Sequence, residues 1–317
     1  MVQRAWVVGI VTFWVLSMGW LTATKIAPLF RRGDQPIQQV FRPDEEPSPV
    51  AMRWRVEYRE RVVGWAETTV VRHDDLTGAV QSVVTFRELP LKDVASDLFG
   101  ALSMLLQAAG ELENLQASLV VNTQMRFDAE GQLTRFNTHV HVADMTNLLE
   151  LNGHVRDNIL QLVAFLNTPR TLREDGESSG RRELVRREVT LPEGALVADA
   201  MSPTPQLANL RVGQVWTFQS YRPFPPNRPL QLVEARVEST ETYPWEGKEQ
   251  QVYVVVFRDE AGTGITSARE PTSRLWVTRD GQVVRQELMI SRLRVIFVRE
   301  PYTIEDEASE EEASVER

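Results

Sequence analysis

The sequence contains no cysteine. Disulfides, thiolate metal sites and a cysteine nucleophile are therefore excluded, stability must come from packing, and the redox compartment is left open. Histidine is scarce as well, with four in 317 residues. No G-x-S-x-G elbow, Walker loop or dinucleotide fingerprint occurs, so no cofactor is expected. Glycosidase-like carboxylate pairs would meet only in three dimensions and leave no linear trace. Bases are outnumbered, 35 against 44 acids, for a net charge of −9. The four bases up to Arg32 precede the first acid, Asp34, so the rest of the chain is more acidic still. Such a body repels phosphate backbones, and nucleic acid is not an expected partner.

Charge is also missing from residues 5–24, "AWVVGIVTFWVLSMGWLTAT". As a helix that run would be about 30 Å long, the thickness of bilayer hydrocarbon. It reads as an uncleaved transmembrane anchor behind a leader at 1–4; the alternative, a cleaved signal peptide, finds no clean small-x-small site. Lys25, Arg31 and Arg32 argue for a cytoplasmic body, whereas the short basic leader is the usual export arrangement. The export reading places the main domain in the periplasm or outside the cell, with the membrane as a partner through residues 5–24.

Residues 25–50, which from Arg31 on carry prolines at 36, 43, 47 and 49, read as an extended linker. Residues 301–317 are acidic and read as a disordered tail. The span 51–300 between them is expected to be a β-rich domain, with a possible division into halves near 168–183, where "EDGESSGRR" reads as a loop or boundary.

Period two dominates that span. In "MRWRVEYRE" Met52, Trp54, Val56 and Tyr58 alternate with charges, and Gly64 marks a turn or bulge before a strand from about Trp65 to Val71. Further strands are expected in "AVQSVVTFREL", "LQASLVVNTQMRF", "LVRREVTLPEG", "VGQVWTFQSYRPF", "LQLVEARVEST", "QQVYVVVF", "SRLWVTR" and "QVVRQELMISRLRVIFV", with the proline-stiffened "RPFPPNRP" on a rim. One segment has helical spacing: Leu91, Val94, Leu98, Leu102, Leu105 and Ala109, ending at Gly110. Its wide apolar face predicts a helix against or inside the sheet.

The stretch "LTRFNTHVHVAD" places His139, His141 and Asp144 at a spacing suited to a metal, with His154 arriving from the next strand. Alternation supplies the other account. Phe136, Thr138, Val140 and Val142 take one face and leave both histidines on the wet one, so no metal is expected. The acid-glycine turns "MRFDAEGQLTRF" and "LWVTRDGQVVRQ" align Gly131 on Gly281, Gln132 on Gln282 and Arg135 on Arg285. Repeated hairpin chemistry and a duplicated half both account for this echo.

The segments "MRWRVEYRERVVGWAETTVV", "LRVGQVWTFQSYRP" and "SRLWVTRDGQVVRQEL" together resemble the open-barrel periplasmic proteins of bacteria, both the lipoprotein-carrier type and an uncharacterised family of similar order. The resemblance covers about residues 50–300 and implies a mainly β fold: a strongly curved antiparallel sheet or open barrel wrapped around one helix, here preceded by a transmembrane helix. It implies no catalytic residues. The expectation is a membrane-anchored, non-enzymatic envelope protein that binds an apolar, lipid-like ligand or another envelope protein. The alternative is a structural accessory subunit of a membrane complex, and the third reading is a hydrolase or metal-dependent enzyme. Trp54, Tyr58, Leu98, Leu102 and Trp216 are the candidates for lining the concave face. Those aromatics, with Trp65, Phe218, Tyr221 and Trp276, serve as core if they do not line a cavity.

Overall fold

A computed structural model describes residues 2–22, 50–73, 75, 77–87, 118–129, 131–143, 145–167, 180–192, 195–197, 202–222, 230–259, 270–290 and 293–301. The elements are α1 (Val2–Leu21) and fifteen strands: β1 (Val50–Tyr58), β2 (Arg61–Arg72), β3 (Gly78–Phe86), β4 (Leu119–Phe127), β5 (Leu133–Val142), β6 (Met145–Arg156), β7 (Ile159–Asn167), β8 (Arg181–Thr190), β9 (Leu196–Val197), β10 (Val215–Tyr221), β11 (Gln231–Trp245), β12 (Lys248–Asp259), β13 (Ser273–Val277), β14 (Val283–Ile290) and β15 (Leu293–Arg299). They form one sheet in the order β8-β7-β6-β5-β4-β3-β2-β1-β15-β14-β13-β12-β11-β10-β9. Two meanders thus meet at the β1–β15 pair, and the termini of the sheet's chain segment lie at its centre.

The hairpins follow from turn chemistry. Arg59–Glu60, Asp157–Asn158 and Glu246–Gly247 each place two successive residues at positive φ, the conformation that lets a two-residue loop match the strands' twist. Val56 pairs with Gly64 and Glu57 with Val62, so a bulge sits at the expected glycine. A Cβ on Gly64 would overlap the Thr85 carbonyl oxygen, which explains why only glycine fits there.

Alternation sorts the sheet into two faces. Trp54, Ala66, Val84, Val121, Val140, Leu149 and Leu166 are successive cross-strand partners from β1 to β7 and are all buried on the inner face. Across β15 to β11, Phe297, Leu275, Val255 and Val237 continue that face. The segment from Ser202 to Leu210 closes part of it: Leu207 and Leu210 join the core, and Leu207 donates its N–H to the Gly281 carbonyl at 2.8 Å. Phe136, Leu151, Leu160 and Leu162 form a further inner cluster with Tyr221 of β10. Val197 of β9 packs on this cluster too, which brings elements from the two ends of the strand order together.

Several expectations require correction. The sheet is mixed, because β9 runs parallel to β10. The intervening 198–214 is long enough in sequence for the crossover that a parallel pair needs. The strand order is open, ending at β8 and β9, so there is no closed barrel. The run 282–298 is two strands, β14 and β15. The helix expected at 91–109, with Leu98 and Leu102, lies outside the described residues, as do most of the 25–50 linker and the tail beyond 301.

The membrane expectation is overturned. α1 forms, and Trp6, Phe13, Trp14, Leu16 and Trp20 stand exposed on it. Among the described residues, however, no helix is long and apolar enough to cross a membrane. The expectation rested on the absence of charge, which is half of the criterion. Glycines 9 and 19, Thr12, Ser17 and three tryptophans dilute the aliphatic content that a span also needs. The anchor at 5–24, the membrane as partner, the anchored periplasmic or extracellular location, and the reading as an anchored lipid- or envelope-protein-binding subunit are therefore not retained.

Candidate functional site

Of the concave-face candidates, Trp54, Tyr58 and Trp216 lie on the inner face, and their exposures are 0%, 9% and 3%. Trp216 packs edge-on against Phe257 with ring centroids 6.3 Å apart. Trp65 differs from the other named aromatics. It is 42% exposed on the outer face, under the Arg87 guanidinium at 4.9 Å.

His139 and His141 lie on the outer face, where both engage Asn147. A bulge opposite His141 puts Asn147 at φ 54°. His139 Nδ1 is 2.6 Å from Asn147 Oδ1, and the Asn147 N–H donates to His141 Nδ1 at 2.9 Å. With Asn147 Oδ1 accepting, His139 carries its proton on Nδ1, and a neutral His141 carries its own on Nε2. One ring then keeps a free lone pair, too few for a chelate. Among the described residues no group of three or more metal-ligating side chains occurs, and Asp144 lies outside them. His154 is a direct partner of Arg135, a cation beside which a metal is disfavoured.

Period two places a different set together. Gln81, Gln124, Asn137 and Asn152 are consecutive cross-strand partners on β3, β4, β5 and β6. Thr69 precedes them on β2. Neighbouring strands are about 4.8 Å apart, so the four amides form a row roughly 15 Å long across the outer face. One neighbouring rung carries Arg126, Arg135, His154, Gln161 and Glu188; the other carries Asn122, His139 and Glu150. The row is held from below. Glu150 accepts from Asn152 Nδ2 at 2.7 Å and from Arg181 at 3.0 Å, and the Arg181 guanidinium stacks 3.9 Å from the Phe165 ring centroid.

Two shallow grooves adjoin the row. One of about 460 Å³ lies over Asn137, Asn152, His154, Gln161 and Arg186. The other, about 580 Å³, lies over Trp65, Glu67, Thr69, Gln81 and Thr85. The grooves are open, and each takes in one end of the amide row. The strands and wet face of β3 to β5 are legible in the sequence but this row is not, since an amide every 13 to 43 residues has no linear pattern until the register is known.

No family model matches the chain, and no curated protein is similar to it. Among solved structures it is similar to a beta-barrel-like protein of the domain of unknown function DUF1849 from Brucella abortus, at 11% identity and a TM-score of 0.44 over 80% of this chain and 97% of that one. The resemblance to an uncharacterised open-barrel type is thus met by a weak structural match, which carries no argument about function.

Proposed function

We propose that the protein is a non-catalytic binding domain that lays an extended, uncharged polyhydroxylated chain, a polysaccharide strand, along the outer face of β2 to β7. The observation that carries this reading is the row Gln81–Gln124–Asn137–Asn152. Each carboxamide presents a donor and an acceptor in one plane, which suits two adjacent hydroxyls of a sugar ring. Four of them at strand spacing offer repeated contacts that are weak singly and add along a polymer. The exposed Trp65 supplies an apolar ring face in the groove at one end of the row, where the C–H face of a sugar can stack. Acidic net charge favours a neutral polymer over a nucleic acid.

Affinity electrophoresis of the intact protein through gels containing neutral polysaccharides tests the reading. At least one polymer should retard the wild type, and Gln124→Leu with Asn137→Leu should abolish the retardation without changing the unfolding temperature. Equal retardation of wild type and variant, or retardation only by nucleic acid, would overturn it.

A further inference from the structure

We infer that the rung beside the amide row is a site for an oxyanion group, a phosphate or a carboxylate, held by Arg126, Arg135 and His154 on the outer face of β4, β5 and β6. Register sets the three side by side. Arg126 is the direct partner of Arg135 across β4–β5, and Arg135 is the direct partner of His154 across β5–β6. All three are exposed, on the same side of the sheet as Gln124, Asn137 and Asn152. Adjacent strands lie about 4.8 Å apart, so Arg135 has a guanidinium on one side and an imidazole on the other, both within side-chain reach.

Like charges directly opposite each other on a sheet repel. Elsewhere this sheet answers its arginines with carboxylates: Arg55 meets Glu57 at 2.9 Å, Arg285 meets Glu287 at 2.8 Å and Arg181 meets Glu150 at 3.0 Å. Among the described residues, neither Arg126 nor Arg135 has an ion pair or a side-chain hydrogen bond. On its far side Arg126 faces the uncharged Ala79. Glu188, the acid on this rung, stands two strands beyond His154 and accepts from Gln161 Nε2 at 3.1 Å. Asp128, two residues after Arg126, accepts the Gln132 N–H at 2.7 Å.

A cavity lies over the same residues. Arg135 and His154 line the groove of about 460 Å³, together with Asn137 on the next rung. Three arginines, Arg135, Arg186 and Arg187, line it against the carboxylate of Glu188, in a chain whose net charge is −9. Arg186 already meets Glu183 at 2.7 Å; Arg135 has no such partner. A guanidinium presents a planar fork of N–H donors that matches two oxygens of a carboxylate or phosphate. Arg126 brings a second fork from the neighbouring strand, and the imidazole of His154 and the carboxamide of Asn137 each add a donor. An oxyanion seated among them turns the repulsion between the two arginines into a shared attraction. The site does not rest on the polysaccharide reading, because it uses a different rung and takes a free ion.

The test titrates inorganic phosphate and, separately, acetate into the full chain at constant ionic strength, with heat read by calorimetry. The expected result is saturable single-site binding of at least one ion, and the two titrations separate phosphate from carboxylate preference. Arg135→Gln and Arg126→Gln should each weaken binding roughly tenfold or more, the usual weight of a hydrogen bond to a charged group. Arg135→Lys should weaken it by less, because a point charge keeps the attraction and loses the fork. Without the ion, either glutamine variant should unfold at the wild-type temperature or above it, since the exposed arginines repel each other. Arg61→Gln, which removes an exposed arginine outside the groove, should leave binding unchanged. Absence of saturable binding of either ion by the wild type, wild-type affinity in both glutamine variants, or an equal loss in Arg61→Gln would overturn the site.

Discussion

The outer faces of the two meanders have opposite characters. Across β3 to β8 the outer face is a field of amides, arginines and histidines, open to water in two grooves. Across β11 to β14 the same side of the sheet carries Trp245, Val252, Val254, Val256, Trp276 and Val284, all buried. The long β11–β12 hairpin provides that difference: Tyr243 packs on the cluster, and Glu241 accepts the Trp276 indole N–H at 2.9 Å. One meander thus has a buried apolar cluster on part of its outer face, with a smaller groove left over Arg274, Glu287 and Arg294, while the other leaves a continuous wet face. Within one sheet, the availability of a surface depends on hairpin length as much as on side-chain type.

The largest expected effect probes the covered face. Trp276→Ala should lower stability by about 3 to 5 kcal/mol, the range for emptying a buried aromatic site, measured from urea midpoints. Trp65→Ala on the open face should stay within about 0.5 kcal/mol yet weaken polysaccharide retardation. Comparable destabilisation by the two substitutions would remove the distinction between the faces.

Gly153 comes next. A Cβ there would run into the Phe136 ring inside the second inner cluster, so Gly153→Ala should cost about 1 to 3 kcal/mol by overpacking. The same variant made with Phe136→Leu should recover part of the loss, which thermal unfolding would report.

The two echoed turns give the finest comparison. In each, the glycine N–H donates to the carbonyl three residues before it, at 3.0 Å for Gly131 and 3.1 Å for Gly281. Asp128 and Thr278 cap the N–H of Gln132 and Gln282 at 2.7 and 3.0 Å. Both glycines have positive φ, 76° and 91°. Alanine at either should cost roughly 1 kcal/mol for that conformation. Gly281→Ala should cost more, because its Cβ would meet Ala208 at 3.1 Å and the Leu207 carbonyl at 3.2 Å, whereas nothing lies within 4 Å at Gly131. Equal losses would mean that 202–210 does not pack on the second turn in solution.

The alternation of Met52 to Tyr58, the bulge at Gly64, the wet side of His139 and His141 and both acid-glycine turns were legible in the sequence, because each is encoded within a few residues. β6 and β7 were harder to read. Leu148 and Leu149 are both buried at the Asn147 bulge, which breaks the period of two. The parallel β9–β10 pair was not legible, because two residues carry no periodicity. The amide row and the rung of Arg126, Arg135 and His154 depend on register across several strands. The anchor at 5–24 was misread by weighing charge without apolar content.

Under the proposed function, polysaccharide engages the open meander alone. Hydrogen–deuterium exchange of the intact protein, with and without a polysaccharide that retards it, tests this most directly. Slowed exchange is expected in β3 to β6, centred on Gln81, Gln124, Asn137 and Asn152, with β11 to β14 unchanged. Protection confined to β11 to β14, or none in β3 to β6 at saturating polymer, would contradict it.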